Sequence, residues 1–194
     1  MLRRLCVLFA RAPRLGTVKR RLARDIGDRA ALRFHESTAT ALLRGLARDR
    51  RFRTILAVTP DRARWRAPVP RVGQGRGDLG ARMYHACARM SRGQIVIVGS
   101  DIPGVGADDV AAAFRALGGA DAVFGPALDG GYWLVGLGPR RPAQPFAGVR
   151  WSSEHALADT LANFRGRRVA FLRTMRDVDT ADDLRAVGRP VMEP

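Results

Sequence analysis

Residues 95–103 of the chain have the sequence IVIVGSDIP. Four consecutive β-branched apolar residues predict a parallel strand that is buried on both faces of its sheet, and Gly99 ends it. Asp101 lies just beyond the carboxyl end of this strand. In open α/β sheets ligands bind beyond the carboxyl ends of the strands, so Asp101 is a candidate metal or phosphate-site residue. The alternative is that Asp101 only caps the next helix.

The rest of the chain alternates apolar runs with helix-period segments. Further strands are predicted at residues 5–10, 52–59, 69–72, 121–126, 132–137 and 168–172. Helices are predicted at residues 29–48, 81–91 and 108–117. Another helix is predicted to begin at residue 18, and two short ones lie near the C-terminal end. This alternation predicts an α/β fold with a mostly parallel sheet. The tripeptide 129–131, Asp-Gly-Gly, predicts a tight turn between two strands and therefore one antiparallel strand.

The length and composition suit a single domain spanning residues 1–194. The chain is 46% hydrophobic, as in an ordinary globular protein. The sequence has no run of about 18 apolar residues, and its apolar start is too short for a signal peptide. We therefore expect a cytoplasmic protein without a membrane partner, and the sequence does not indicate its oligomeric state.

The charge of the chain is strongly positive, at +16, and its 34 basic residues comprise Lys19 and 33 arginines. A basic excess can indicate nucleic-acid binding. Here the arginines are spread through nearly every segment, which is more typical of a solvated surface, so nucleic acid is not an expected partner. The single lysine stands out, because its compact ammonium is not interchangeable with a planar guanidinium.

The loop after the first strand is a candidate phosphate site. Residues 11–17, RAPRLGT, join that strand to a helix that is predicted to begin at residue 18. Backbone N–H groups at a helix start attract anions, and Arg11, Gly16, Lys19 and Arg21 are the candidate phosphate-binding residues. A cation in the first turn opposes the helix dipole unless an anion is bound between them. The alternative is a solvated basic loop.

Residues 73–80, GQGRGDLG, form a second candidate ligand loop. Glycines let the backbone approach a flat base or sugar, and the Gln74 side chain offers a paired donor and acceptor for a base edge. The candidate nucleotide-binding residues are Gln74, Gly75, Asp78, Gly80 and Arg82. The alternative is a flexible glycine loop.

Carboxylates cluster again after the last strand, at Asp177 and Asp179. Mg²⁺ or Mn²⁺ takes one or two carboxylates together with phosphate oxygens and water, so Asp101 with Asp179 or Asp177 is sufficient for a metal site. Asp179 or Thr180 capping the last helix is the alternative. Three histidines fit no metal-ligand spacing and are expected on helix surfaces: His35, His85 and His155.

The Asp-Gly-Gly turn and the aromatic residues near it are candidates for binding an acceptor molecule. Asp129 is a candidate catalytic residue on the acceptor side, and Gly130, Gly131, Tyr132 and Trp151 are expected to line that half of the site. The alternatives are that Asp129 is a turn residue and that residues 151–154, WSSE, only precede and cap a helix.

These segments together resemble a bacterial family of selenodomain-associated or arsenosugar-biosynthesis glycosyltransferases, in the nucleotide-diphospho-sugar transferase superfamily. The resemblance covers nearly the whole chain, through RAP and GTVKRRLA (11–13, 16–23), QGRGDLGARM (74–83), GSDIP (99–103), GPALDGGY (125–132), WS (151–152) and DVDTADDL (177–184). It implies a GT-A-like, three-layer αβα sandwich. The family more often has threonine at the position of Arg20.

Three functions remain open at this point. Relatives in the superfamily include nucleotidyltransferases for phospholactate and the molybdenum cofactor as well as sugar transferases. Nucleotidyl transfer from an NTP to a small phosphorylated acceptor is slightly favoured, because residues 100–102, Ser-Asp-Ile, offer one Asp where glycosyltransferases commonly have Asp-x-Asp. Glycosyl transfer from a nucleotide sugar, with Asp129 as base, is the second. A non-catalytic nucleotide or nucleic-acid binder is the third.

Overall fold

The computed structural model of the chain describes residues 4–88 and 93–187. The strands are β1 (Arg4–Arg11), β2 (Arg53–Thr59), β3 (Arg71–Gly73), β4 (Gln94–Gly99), β5 (Ala122–Pro126), β6 (Tyr132–Leu137) and β7 (Val169–Phe171). The helices are α1 (Arg20–Ile26), α2 (Asp28–Arg48), α3 (Leu79–Ala88), α4 (Ala107–Ala116), α5 (Ala156–Ala162) and α6 (Ala181–Val187). The predicted strands are confirmed to within two residues. The predicted end of the third helix, at Ser91, lies outside the described residues.

All seven strands form one sheet in the order β3-β2-β1-β4-β6-β5-β7. Strand β6 runs antiparallel to both of its neighbours, and the other pairings are parallel, which confirms the mostly parallel sheet with a turn-back at residues 129–131. The chain builds outward from β1 to β2 and β3 and then crosses to β4 on the other side of β1. The carboxyl ends of β1 and β4 therefore form a topological switch point, where open α/β sheets bind ligands.

Helices cover both faces of the sheet. Helices α2 and α4 pack on one face, around Leu8, Val98 and Phe114, and α3 packs on the other with Phe124, Phe146 and Phe164. Parallel strands between two helix layers are apolar on both faces, as residues 95–98 predicted. This arrangement confirms the three-layer αβα sandwich.

Two helix starts differ from the prediction. Helix α1 begins at Arg20 because Lys19, its N-cap residue, has left-handed backbone angles (φ 46°, ψ 48°). Helix α3 begins two residues early, at Leu79, because the Asp78 carboxylate accepts a hydrogen bond from the Ala81 amide at 2.8 Å. Among the described helices none is long and apolar enough to cross a membrane.

Candidate active site at the β1–β4 switch point

The register of the sheet brings the phosphate loop and Asp101 together. Phe9 of β1 pairs with Gly99 of β4 in a parallel ladder, so Arg11 and Asp101, each two residues further on, emerge side by side. Asp101 does not cap a helix: Gly106 is the N-cap residue of α4, and its amide donates to Asp109 at 2.9 Å. The capping alternative for Asp101 is therefore wrong.

Lys19 lies between two of the predicted metal carboxylates. Its Nζ donates to Asp179 Oδ1 at 3.1 Å and lies 3.9 Å from Asp101 Oδ1, and its side chain is only 5% exposed. The side chains of Asp101 and Asp179 are 51% and 41% exposed. Two carboxylates thus balance the charge of the Lys19 ammonium. Helix α1 has seven residues, so its dipole has little effect on that charge. The carboxylates of Asp101 and Asp179 thus lie beside Lys19, where the sequence interpretation expected an anion, and phosphate binding by Lys19 stays a prediction.

Asp179 reaches Lys19 because its neighbour Val178 is anchored. Val178 is fully buried in a small cluster with Leu22 of α1 and Ala31 of α2. This packing fastens the segment after β7 to the helices that follow β1. Arg21 Nη1 adds a longer contact, 3.8 Å from Asp179 Oδ2.

A residue that the sequence interpretation missed completes this group. His35 was expected on a helix surface, yet it is 2% exposed and lies under the site. Its Nε2 is 2.9 Å from the Arg11 carbonyl oxygen, and its Nδ1 is 3.3 Å from Asp101 Oδ1. The sequence signal for the burial of His35 was its helical spacing, since it lies four residues from both Ala31 and Ala39, which are buried on α2. We call Lys19, His35, Asp101 and Asp179 the Lys19 cluster.

The pKa values in this region follow from the same contacts. Desolvation raises the pKa of Asp101, but His35, Lys19 and Arg11 outweigh it, so the net pKa lies below the ordinary value. The pKa of Asp177 is raised, first by burial and then by the charges of Asp179 and Asp129. The charge of Lys19 lowers the pKa of Asp177, but by less than these influences raise it.

The candidate metal ligands do not form a ready-made cage. Within residues 4–88 and 93–187 no group of three Asp, Glu, His or Cys side chains has metal-binding geometry. What the chain provides is two partly exposed carboxylates that share one lysine. Such a donor set fits an ion that keeps water and phosphate oxygens as its other ligands, as Mg²⁺ does.

A cavity of about 390 Å³ lies on the other side of the β1 end, between β2, β3 and α3. We call it the base-side pocket, and the polar residues and glycines that line it are Asp61, Gly73, Gln74, Gly75, Arg82 and His85. Its size is within the range of small-molecule sites.

The structure corrects the role predicted for Gln74. Its side-chain amide nitrogen donates to the carbonyl oxygens of Ala10 at 3.2 Å and Ala57 at 3.0 Å, so both of its N–H groups are used. Gln74 cannot present a paired donor and acceptor to a base edge. Asp61, which was missed, accepts the Gly75 amide at 3.1 Å within the same pocket.

Other residues of the glycine loop are also used within the protein. Gly80 is buried, and a Cβ there would lie 2.9 Å from the Trp151 ring, so Gly80 permits helix packing rather than ligand approach. The Arg82 Nε donates to the Gly77 carbonyl oxygen at 2.9 Å. The Asp78 carboxylate is also occupied, because it caps helix α3. The base-side pocket therefore offers mainly backbone and apolar surface to a ligand.

The aromatic residues predicted to face an acceptor are packing residues. Tyr132 and Trp151 meet edge to face, with ring centroids 6.3 Å apart, and burial raises the pKa of the Tyr132 hydroxyl. Thr160 Oγ1 donates to Tyr132 Oη at 3.4 Å. The predicted aromatic acceptor surface is therefore wrong for Tyr132, and Trp151 lies mainly against Gly80.

The 129–131 turn itself lies near the carboxylates. Asp129 Oδ1 accepts the Gly131 amide at 2.9 Å, and Gly130 has a positive φ of 83° with its Cα against the Glu154 backbone. Asp129 nevertheless lies close enough to Asp177 to raise the pKa of that residue. It is a turn residue whose charge acts on Asp177.

Sequence and structure comparisons place the chain in a family. Residues 42–153 match the model of a family described as "Uncharacterized protein conserved in bacteria (DUF2064)". The chain belongs to this family. A protein from Desulfovibrio desulfuricans G20, provisionally named a nucleotide-diphospho-sugar transferase, is 30% identical with a TM-score of 0.90, over 97% of this chain and 87% of that chain. None of the curated proteins matches the chain in sequence.

More distant structures share the fold. The 4-diphosphocytidyl-2C-methyl-D-erythritol synthase of Anaerococcus prevotii DSM 20548 is 10% identical, with a TM-score of 0.60 over 97% of this chain and 99% of that chain. Rv0371c of Mycobacterium tuberculosis H37Rv, crystallised in complex with manganese, is 19% identical, with a TM-score of 0.54 over 96% and 98%. The fold is therefore GT-A-like, as the resemblance implied. The narrower selenodomain or arsenosugar assignment stays a prediction.

Proposed function

We propose that this protein is a divalent-metal-dependent transferase of the cytoplasm that uses an NTP or a nucleotide sugar. Nucleotidyl transfer to a small phosphorylated acceptor is the favoured reaction. The observation that carries the proposal is the Lys19 ammonium, held between Asp101 and Asp179 at the switch point, on the same edge of the sheet as a cavity of about 390 Å³.

The donor phosphates are expected at the carboxyl ends of β1 and β4. Lys19, Arg11 and Arg21 supply positive charge there, and the turn at Gly16 presents backbone groups, while the base occupies the base-side pocket near Gly75. Phosphoryl-type transfer depends on positioning and charge neutralisation more than on covalent groups. A site that contains lysine, arginine and carboxylates suits that chemistry.

Asp101 and Asp179 would hold Mg²⁺ or Mn²⁺, with Asp177 as the alternative to Asp179. Both carboxylates are partly exposed and reach the same lysine, so phosphate oxygens have access to them. A bound ion would neutralise phosphate charge and orient the donor. The manganese complex of the fold relative Rv0371c supports a divalent ion.

In the favoured reaction an acceptor phosphate oxygen attacks the α-phosphorus of the NTP. The new P–O bond forms as the bond to the β-phosphate breaks, and pyrophosphate leaves with the electron pair. The protein's own contribution is to hold both reactants in line and to balance the charge on the leaving group, for which Lys19 is placed. Asp129 would orient the acceptor from the β5–β6 turn.

Glycosyl transfer is the second candidate, because the 30% identical relative is named for nucleotide-diphospho-sugars. There Asp129 would take the proton of an acceptor hydroxyl. The acceptor is a small molecule in both cases.

A panel of NTPs and nucleotide sugars, each with and without Mg²⁺ or Mn²⁺, tests the proposal by thermal shift, because a specific ligand raises the melting temperature by mass action. The nucleotide found is then incubated with phosphorylated and hydroxyl acceptors. Release of pyrophosphate supports nucleotidyl transfer, and release of a nucleoside diphosphate supports glycosyl transfer. Metal-dependent binding without any product would favour a non-catalytic nucleotide-binding protein.

A further inference from the structure

A cavity of about 450 Å³ lies between the second half of α2 and the segment that joins β2 to β3. We call it the arginine pocket, because its walls carry Arg44, Arg48 and Arg66 together with Trp65. It shares no lining residue with the base-side pocket. Arg44 also lies nine residues beyond His35 on α2, which is about 14 Å along the helix axis. The arginine pocket is therefore separate from both halves of the candidate active site.

The three arginines of this pocket have no hydrogen bond or ion pair within residues 4–88 and 93–187. The neighbouring Arg51, by contrast, is paired with two carboxylates. Arg44 and Arg48 lie four residues apart on one helix, a spacing at which like charges destabilise each other. The helix dipole favours Arg48, in the last turn of α2, but it has no such effect on Arg66, which belongs to the other segment. Three unpaired positive charges from two segments thus line one cavity.

The chemistry of the lining favours a ligand that has phosphate groups and a flat ring. Guanidinium groups bind phosphate oxygens through a planar fork of donors. Trp65 is half-buried and packs partly against the core beneath α2, while the same side chain lines the cavity. An indole ring stacks on any nucleobase, because every base has a π-face. The volume is within the range of small-molecule sites and limits the ligand to about one nucleotide.

We propose that the arginine pocket is a second nucleotide-binding site, which binds a nucleoside triphosphate with its phosphates on the three arginines and its base against Trp65. None of the described residues that line the pocket is acidic, so the guanidinium groups neutralise the phosphates without a divalent ion. The Lys19 cluster differs in this respect, because its carboxylates are the proposed ligands of such an ion. Nucleotide binding in the absence of metal therefore distinguishes the two sites.

The first measurement uses Trp65 as the reporter of its own pocket. ATP is titrated into the wild-type protein in EDTA, and binding is followed by tryptophan fluorescence and by calorimetry. We expect ATP to change the fluorescence and to bind more weakly as the salt concentration is raised. Trp65→Phe keeps an aromatic ring, so calorimetric binding should persist while the fluorescence change disappears. A fluorescence change that remains in Trp65→Phe would place the bound ATP elsewhere and overturn the inference.

Two substitutions remove one phosphate contact each, from the two different segments of the pocket. We expect Arg44→Gln and Arg66→Gln each to weaken metal-free ATP binding by roughly tenfold, with nearly normal melting temperatures. Arg33→Gln is the matched control, because it removes the same charge from an exposed position on the same helix outside the pocket. Its affinity for ATP should stay close to that of the wild type. Equal weakening in all three variants would reduce the effect to net charge and overturn the inference.

Competing ligands test the class of molecule. Inorganic pyrophosphate should bind roughly tenfold more weakly than ATP, because it lacks a base to stack on Trp65. Pyrophosphate that binds as tightly as ATP would overturn the nucleotide assignment. A single-stranded DNA oligonucleotide that binds much more tightly than ATP would make this surface a nucleic-acid site, which also overturns it.

Asp101→Asn separates this inference from the proposed function. Metal-free ATP binding should survive in this variant, because Asp101 lies outside the arginine pocket. Its loss would assign the bound ATP to the Lys19 cluster and overturn the second site. Absence of Mg²⁺-dependent nucleotide binding by the wild-type protein, with metal-free binding intact, would overturn the proposed function alone.

Discussion

The Lys19 cluster and the base-side pocket lie on the same edge of one sheet and are built in opposite ways. In the cluster, side chains from four distant segments meet, and each charged group is placed by another. In the pocket, Gln74 and Asp61 are used to hold the backbone, and the surface left for a ligand is mostly glycine backbone and apolar side chains. The Lys19 cluster is suited to binding charged groups, and the base-side pocket is suited to binding a ligand by its shape.

The difference teaches where substitutions should affect chemistry and where they should affect folding. A preorganised charge in a partly buried site can contribute several kcal/mol to a transition state, about 3 kcal/mol for a single donor. A buried amide that satisfies backbone carbonyls contributes to stability. Polar residues in the two regions should therefore respond differently to substitution.

Removing the Asp101 carboxylate should have the largest effect on the Lys19 cluster. We expect Asp101→Asn to remain folded and to lose Mg²⁺-dependent nucleotide binding, because it removes a proposed metal ligand and leaves Lys19 with one carboxylate. Calorimetric titration of nucleotide with and without Mg²⁺ measures the effect. Asp108→Asn, an exposed carboxylate in the first turn of α4, is the control.

An unchanged metal dependence in Asp101→Asn would contradict the assignment of Asp101 as a ligand. A collapsed melting temperature would mean that the cluster serves stability first.

Lys19→Arg tests whether the shape of the cation matters. The ammonium occupies a nearly closed space between two carboxylates, which a bulkier planar guanidinium cannot fill in the same way. Losing one preorganised contact of this kind costs on the order of 3 kcal/mol, or about a hundredfold in turnover. Turnover and melting temperature are compared with those of Arg24→Lys, an exposed position on the same helix.

Near-normal turnover in both variants would show that the single lysine reflects composition. The cluster would then need positive charge but no particular geometry.

Asp129→Asn should have a smaller effect on turnover, and a smaller one still on nucleotide affinity. The asparagine oxygen can still accept the Gly131 amide, so the turn survives. Loss of one acceptor contact worth about 1.4 kcal/mol gives roughly a tenfold decrease in turnover. Steady-state kinetics in both substrates measures it, with Asp182→Asn as the exposed control.

A decrease of about 10²–10⁴-fold would point to proton transfer by Asp129 and favour glycosyl transfer. Affinity for the nucleotide that falls in parallel with turnover would move Asp129 to the donor side.

Gln74→Leu tests the base-side pocket and should affect stability more than ligand binding. It removes two buried hydrogen bonds and costs about 1–3 kcal/mol. For a chain of this size that lowers the melting temperature by several degrees, at roughly 2–4 °C per kcal/mol. Gln144→Leu, at an exposed glutamine, is the control. A normal melting temperature with altered base preference would restore the base-reading role.

Much of the fold could be predicted from local patterns. The β-branched run at 95–98, the Asp-Gly-Gly turn and the helix-period segments each predicted an element that is present. Three of the predicted site residues, Asp101, Lys19 and Asp179, do lie close together. The residues in error share one property, since Gln74, Gly80, Tyr132 and His35 are all placed by contacts with segments far away in the sequence.

The amino-acid sequence by itself determined the strands and where the chain turns back antiparallel. It also determined that Asp101 and Lys19 lie at one edge of the sheet. These features depend on periodicity, on turns and on the residue that follows a strand. Only the tertiary structure decided which polar groups face a ligand. Whether a glutamine or histidine reaches into a site depends on which backbone carbonyls and carboxylates lie within about 3 Å of it. For His35 and Gln74 those partners are 24 and 64 residues away, beyond the reach of any local pattern.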